Sequence, residues 1–205
     1  MKKIRFIVLL ASTIVFMSSN LYAFKFDVWE AGITLREAYT ISRYKKKIKL
    51  RKSSYTGGPT NPFLSREYDD IILGEPVEVV LFFTPLSKLL CRVYVTWNRN
   101  EAAARITSDR LDQMFDELEV YLSKKYAKGS SIIQSSFESR SFCSENAKGF
   151  VKQLLIRKTQ YTIELSKTSA CNWLTLNYQD IKLSKLHDAE VKKVNQSTNS
   201  DFKKF

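Results

Sequence analysis

Apolar and polar residues alternate with a period of two in several parts of the chain, and this alternation restricts the fold more than any other feature. Pro76 to Thr84 and Leu89 to Trp97 alternate on either side of the turn-forming residues Pro85 to Lys88, which predicts a β-hairpin. Four further strand-like segments follow: Ile132 to Glu138, Phe150 to Arg157, Gln160 to Ser166 and Asn172 to Tyr178. Because such strands have one buried and one wet face, the sequence predicts an antiparallel sheet.

Three segments have helical patterns. Between Ser108 and Lys125 the apolar residues recur at three- and four-residue spacings, which indicates an amphipathic helix that ends near Gly129. Thr34 and Glu37 form a capping-box pattern at the start of a short helix. A third helix is expected from Ile181 to about Val194. The fold class predicted is α+β, a two-layer sandwich with a mainly antiparallel sheet, one long amphipathic helix and terminal helices packed on it.

The first residues have the pattern of a secretory signal peptide. Lys2, Lys3 and Arg5 precede the apolar run Phe6 to Met17, and Ala23 is a small residue at a plausible cleavage point. The apolar run is shorter than the roughly 20 residues that a membrane-spanning helix needs. We therefore expect cleavage near Ala23 and a periplasmic or secreted protein with no transmembrane span after cleavage. An uncleaved anchor is the alternative.

These patterns divide the chain into four parts. We expect the signal peptide at 1–23, an N-terminal helix with a basic run and a loop at 24–62, an α+β domain at 63–194 and a flexible polar tail at 195–205. The loop follows from the turn formers between Ser53 and Pro62. The apolar content of 44% is high enough for a packed globular core.

Three short motifs resemble those of uncharacterised exported proteins of Gram-negative bacteria. They are the opening from Phe26 to Ala38, the step Leu73-Gly74-Glu75 before the hairpin, and the stretch from Phe82 to Lys88. The resemblance covers mainly the first half of the chain that follows the signal peptide. It implies a similar fold and export, and it brings no known activity or functional residues.

The positive charge is concentrated in one segment. Seven cationic residues and no anionic ones lie within ten positions: Arg43, Lys45, Lys46, Lys47, Lys49, Arg51 and Lys52. Without residues 1–23 the net charge falls from +12 to +9, so this segment supplies most of the excess. It is the candidate polyanion-binding site, for anionic lipid or lipopolysaccharide, and nucleic acid is not expected as the partner of an exported protein. An ordinary solvated surface is the alternative.

Three cysteines in an exported protein allow one disulfide and leave one thiol. Cys91 shares a strand face with Val93 and Val95, so we expect it to be a buried thiol. We predict that Cys143 and Cys171 form a disulfide. Sequence alone does not show whether their Cα atoms lie within bonding range.

Few residues suggest catalysis. Glu67, Asp69 and Asp70 form the densest acidic cluster, which could divide acid and base roles, but a solvated loop, as a helix cap or a counter-charge for the basic run, is the simpler interpretation. His187, the only histidine, is expected to be an ordinary helix-surface residue. No phosphate-binding loop, nucleophile elbow or paired metal-ligand motif occurs in the sequence, so we expect no cofactor and no metal.

These observations favour an exported, non-enzymatic envelope protein that binds a partner protein or an anionic envelope component. The absence of a recognisable catalytic motif is the reason for this preference. Two alternatives stay open: an envelope hydrolase that uses acidic residues, and a secreted inhibitor or effector.

Overall fold

The computed structural model describes residues 25–45, 47–53, 64–98, 106–140, 148–169 and 172–202. The strands within these ranges are β1 (Lys25–Phe26), β2 (Trp29–Glu30), β3 (Arg51–Lys52), β4 (Leu64–Ile72), β5 (Glu75–Phe83), β6 (Leu90–Trp97), β7 (Ser131–Arg140), β8 (Lys148–Arg157), β9 (Tyr161–Thr168) and β10 (Trp173–Asp180). The helices are α1 (Leu35–Tyr44), α2 (Ser108–Tyr126) and α3 (Ile181–Phe202).

Eight of the strands form one sheet, in the order β3-β4-β5-β6-β10-β9-β8-β7. Every neighbouring pair in it is antiparallel, and β1 and β2 form a separate two-stranded hairpin. The predicted α+β class and the antiparallel sheet are therefore confirmed. The described residues contain two long helices, α2 with 19 residues and α3 with 22, where the sequence led us to expect one.

A row of buried residues crosses the sheet from β8 to β4. Each residue lies directly opposite the next, in the order Leu154, Leu165, Leu176, Val95, Val79 and Tyr68. Helix α2 adds its buried apolar side chains to the same core: Leu111, Met114, Phe115, Leu118 and Leu122. The predicted spacing of these residues along α2 thus marks the stripe that the helix buries.

Helix α1 begins as the capping box predicts. The Thr34 hydroxyl accepts a hydrogen bond from the Glu37 backbone N–H, and the Glu37 carboxylate accepts one from the Thr34 N–H at 2.7 Å. The segment before the helix is tied to β6, because Gly32 N–H donates to Leu90 O at 2.9 Å and Leu90 N–H donates to Ile33 O at 2.8 Å. These bonds hold the start of α1 against the β5–β6 turn.

Two segments differ from the expectation. The acidic cluster was expected in a loop, but it lies in β4, a nine-residue strand. The prediction of a loop was wrong because charged residues occur on both faces of β4 and hide the alternation. Helix α3 continues through Phe202, past its expected end at Val194 and into the predicted polar tail.

No helix in the described ranges has both the length and the apolar character that crossing a membrane requires. The predicted signal peptide at 1–23 lies outside those ranges.

Candidate anion-binding surface

The basic run, Arg43 to Lys52, leads from the end of α1 to the edge of the sheet, and we call it the basic segment. Lys45 ends the helix, with its N–H donating to Ile41 O, and Ile48 N–H then donates to Lys45 O at 2.8 Å. The chain then continues through residues 48–50 to β3. The basic segment therefore begins in a helix-terminal turn and ends in a strand.

Apolar residues anchor the basic segment and turn its lysines outward. Ile48 is buried and Leu50 is half-buried against the core. Lys47 and Lys49 flank Ile48 in sequence and are exposed. Along residues 47–50, exposed lysines thus alternate with buried or half-buried aliphatic residues.

The structure places most of the predicted cations at the surface. Five exposed cations of the basic segment form no ion pair within the described ranges: Arg43, Lys45, Lys47, Lys49 and Lys52. Lys46 lies outside the described residues. Tyr44, between two of these cations, is 84% exposed. An exposed aromatic ring thus lies beside these cations.

Arg51 differs from the other cations because its charge is already paired. Its Nε lies 3.0 Å from Glu67 Oε1, and its two terminal nitrogens bond both carboxylate oxygens of Asp69 at 2.7 and 2.9 Å. The hydrogen bonds from Arg51 hold the pKa of Asp69 below its usual range, and those same bonds raise the pKa of Arg51. Arg51 therefore fixes β3 to β4 and leaves little charge for a ligand.

These contacts also decide the role of the acidic cluster. Glu67 and Asp69 share one face of β4, where they act as counter-charges to Arg51, one of the roles expected from the sequence. Asp70 points to the opposite face. The lowered pKa of Asp69 keeps it ionised, whereas a general acid near neutral pH needs a raised pKa.

One cation that the sequence pattern did not indicate lies beside the basic segment. Arg66 of β4 is directly opposite Lys52 of β3. Its guanidinium donates to the Tyr39 hydroxyl at 2.5 Å and lies 5.7 Å from the centre of that ring. Arg66 was hidden because it belongs to the strand that the sequence did not predict. The pairing of β3 with β4 brings Arg66 next to the basic segment.

A shallow depression of about 380 Å³ opens at the basic segment. It is lined by Asp27, Tyr44, Lys45, Lys47, Ile48 and Asp70. Two carboxylates stand among the two lysines, so the depression itself has no net positive charge. Positive charge dominates only on the exposed surface around it.

The predicted buried thiol of Cys91 is confirmed. Cys91 is 3% exposed, and its Sγ lies 3.3 Å from the carbonyl oxygen of Phe82. Burial raises the pKa of the Cys91 thiol to about 12. A thiolate is the reactive form, so Cys91 is unsuited to nucleophilic chemistry. Cys143 and Cys171 lie outside the described residues, and their disulfide stays a prediction.

We predict the outcome of thiol titration from these positions. The unreduced mature protein should show no reactive thiol when folded and one when denatured, and peptide mapping should place that thiol at Cys91 because burial protects it. A reduced and denatured sample is the control and should give three thiols, one for each cysteine in the sequence. Three thiols in the unreduced denatured sample would contradict the Cys143–Cys171 pairing.

The prediction for His187 was wrong. It was expected on the surface of a helix, but it is 4% exposed on the buried side of α3. Glu190, one turn later, is equally buried and accepts hydrogen bonds from the backbone N–H of Leu86 and Ser87 at 2.7 and 3.1 Å. Glu190 of α3 therefore holds the β5–β6 turn in place.

Within the described ranges, no three His, Cys, Asp or Glu side chains come together in a way that could hold a metal ion. Comparisons with protein-family models, with curated proteins and with solved structures found no match to the chain.

Proposed function

We propose that the protein is an exported, non-enzymatic envelope protein whose basic segment binds a phosphate-bearing anionic surface, such as lipid or lipopolysaccharide headgroups. One observation carries the proposal. Ile48 is buried and Leu50 half-buried, while the lysines beside them are exposed next to the ring of Tyr44 and form no ion pair among the described residues. The export itself rests on the sequence of residues 1–23 and on the resemblance of the first motifs.

The geometry favours a broad surface over a small anion as the ligand. The depression contains Asp27 and Asp70, which would repel a phosphate bound inside it. The exposed cations outside the depression, Arg43, Lys49 and Lys52, form no ion pair within the described residues and would contact several headgroups of a surface at once. Each lysine near an anionic membrane contributes about 1 kcal/mol, so several are needed for stable binding.

Tyr44 supports a membrane surface in particular. Tyrosine is enriched at membrane interfaces because its ring enters the headgroup region while its hydroxyl stays hydrated. An 84% exposed tyrosine between cations has the chemistry of such an anchor. Tyr44 and the lysines would contact the same surface.

We also propose the two-layer arrangement of the fold. Two ion pairs between α2 and the sheet support it: Lys167 Nζ with Asp112, and Lys152 Nζ with Asp116 at 2.5 Å. Lys152 and Lys167 lie directly opposite each other on β8 and β9, so both pairs form on one sheet face. Helix α2 would then be part of a helical layer on that face.

Vesicle binding tests the proposed function. With Lys45, Lys47, Lys49 and Lys52 all replaced by glutamine, we expect binding to phosphatidylglycerol-containing vesicles to weaken at least about tenfold at low salt, because four headgroup contacts are lost. Co-sedimentation gives the bound fraction. Phosphatidylcholine vesicles, which carry no net charge, test whether an anionic surface is required. Added inorganic phosphate tests whether the free anion competes with that surface for the protein.

The matched control removes the same charge from another part of the molecule. Lys128, Lys185, Lys192 and Lys193 are exposed on α3 and after α2, and their replacement by glutamine should leave binding nearly unchanged beyond the effect of net charge. Equal loss in both variants would show that net charge alone acts. No binding by the unmodified protein would refute the proposal.

A further inference from the structure

The two edges of the sheet are unlike. At one edge, β3 has only two residues, both cationic, and charge on a short strand is a common protection against pairing with another chain. At the other edge, β7 has ten residues, Ser131–Arg140, without proline or lysine. Its only charged residues, Glu138 and Arg140, are at its end. Beyond β7 there is no further strand in the described part of the chain.

The hydrogen-bond pattern of β8 shows which groups of β7 point outward. Ser169 N–H donates to Phe150 O at 3.0 Å, so the even-numbered residues of β8 bond to β9. Odd-numbered residues of β8 then bond to odd-numbered residues of β7, as in the pair Gln153 and Ser135. The backbone N–H and C=O of the even-numbered residues of β7 therefore point away from β8: Ile132, Gln134, Ser136 and Glu138.

The side chains of β7 are also accessible. Ile133 is 42% exposed and Phe137 is 46% exposed, and both project from the same face because they lie four residues apart in a strand. On this face Ser135 stands between them. Within the described part of the chain, the edge therefore offers a row of backbone groups without a strand partner, together with two half-exposed apolar side chains.

We propose that β7 pairs with β7 of a second copy of this chain, antiparallel and centred on Ser135. In this register each even-numbered residue faces an even-numbered residue of the other copy. The outward-pointing N–H and C=O groups of the two strands can therefore hydrogen-bond to each other. It also places Ile133 of each copy directly opposite Phe137 of the other. Pairs of an aromatic with a β-branched residue stabilise antiparallel strands, so both apolar residues become covered.

Charge supports a second copy as the partner. Two molecules with a net charge of +12, or +9 without residues 1–23, repel each other at most surfaces, but β7 has one acidic and one basic residue and is neutral. In the proposed register Glu138 faces Ile132, so no like charges are directly opposed. The basic segment enters the sheet at the opposite edge.

The width of the sheet separates the basic segments of the two copies in the proposed dimer. At about 4.8 Å per strand, β3 lies roughly 34 Å from β7, well beyond the Debye length of about 8 Å at physiological salt. Repulsion between the basic segments therefore does not oppose pairing at β7. The dimer does not depend on the proposed anion binding.

The association of the purified protein tests the pairing. Sedimentation equilibrium over about a hundredfold range of concentration should show a reversible monomer–dimer equilibrium. Ser136→Pro removes an outward N–H and should raise the dimer dissociation constant at least about tenfold, whereas Ser136→Ala should leave it unchanged. A protein that is monomeric over the whole range, or a dimer unaffected by Ser136→Pro in a folded variant, would overturn the proposal.

Two charge variants test the register and do not depend on proline. Ile133→Lys and Phe137→Glu should each weaken the homodimer at least about tenfold, because each places a charge opposite an apolar side chain. An equimolar mixture of the two should dimerise, since one interface pair becomes lysine with glutamate while the other stays isoleucine with phenylalanine. Circular dichroism checks that each variant is folded. Failure of the mixture to dimerise would overturn this register.

Discussion

Replacing Trp29 with alanine should lower the free energy of unfolding by about 3–5 kcal/mol. Trp29 is fully buried, and its ring centre lies 5.8 Å from that of Tyr68. Its indole Nε1–H donates to the Tyr68 hydroxyl at 2.8 Å. The substitution removes a large apolar side chain and leaves a buried hydroxyl without its donor. Urea denaturation followed by circular dichroism measures the loss.

Two further variants separate the contributions at this site. Trp29→Phe keeps much of the ring but removes the donor, so we expect a smaller loss of about 1–3 kcal/mol. Tyr44→Ala removes an aromatic side chain that is 84% exposed, and it should change the free energy of unfolding by no more than about 0.5 kcal/mol. A loss for Trp29→Ala as small as that for Tyr44→Ala would contradict the packing described.

Trp29 also affects the candidate site. Its partner Tyr68 lies in β4 between Glu67 and Asp69, the two residues that hold Arg51 and hence β3. The N-terminal hairpin and the basic segment are thus attached to the same strand. A change at Trp29 is therefore expected to loosen both attachments.

The parts of the fold that the sequence predicts are those specified by local patterns. The capping box of Thr34 and Glu37, the β5–β6 hairpin and the buried stripe of α2 all depend on residues a few positions apart. Each pattern has a physical cause within the segment itself. The period-two alternation of a strand and the three- to four-residue spacing of a helix show which side chains lie on the same face.

Strand β4 escaped prediction because its charges are stabilised by residues distant in sequence. Glu67 and Asp69 are paired with Arg51, and Arg66 with Tyr39, across separations of 16 to 27 positions. Without knowledge of those partners, a run containing so many charged residues indicates a loop. The same reason explains why Arg51 resembled a free cation and why Arg66 was not included in the candidate site.

His187 and Glu190 show the same limit in a helix. Both are polar and occupy positions that a solvent-facing helix side would tolerate. Glu190 is buried because the backbone of the β5–β6 turn, about a hundred residues earlier, supplies its hydrogen-bond donors. A sequence pattern identifies apolar stripes, but it does not identify a polar residue that is matched to a distant turn.

Glu190 should make the stability of the protein depend on pH. Burial by itself raises the pKa of Glu190, but hydrogen bonds from the Ser87 hydroxyl and from the N–H of Leu86 and Ser87 outweigh burial and lower it. The folded protein therefore releases this proton at a lower pH than the unfolded chain. The stabilisation is complete above the unfolded pKa, about 4.3, and is lost as the pH falls through the folded pKa.

The variant Glu190→Gln isolates this contribution, because glutamine resembles the protonated side chain. At pH 7 we expect the substitution to lower the free energy of unfolding by about 1–3 kcal/mol. The loss should lie at the lower end of this range because Leu86 is 53% exposed, so water can reach its freed N–H. The cost should shrink as the pH falls below the unfolded pKa, because the unfolded chain then binds the proton while the folded protein still resists binding it. Urea denaturation of both proteins at each pH gives the difference directly.

The neighbouring carboxylate of Asp188 provides the control for Glu190. Its side chain is 74% exposed on the same helix, and Asp188→Asn should change the free energy of unfolding at pH 7 by no more than about 0.5 kcal/mol. A cost of Glu190→Gln that stays constant between pH 7 and about 3 would show that shape, and not charge, holds the turn. A cost that disappears with acid would establish that the ionised carboxylate fastens α3 to the β5–β6 turn.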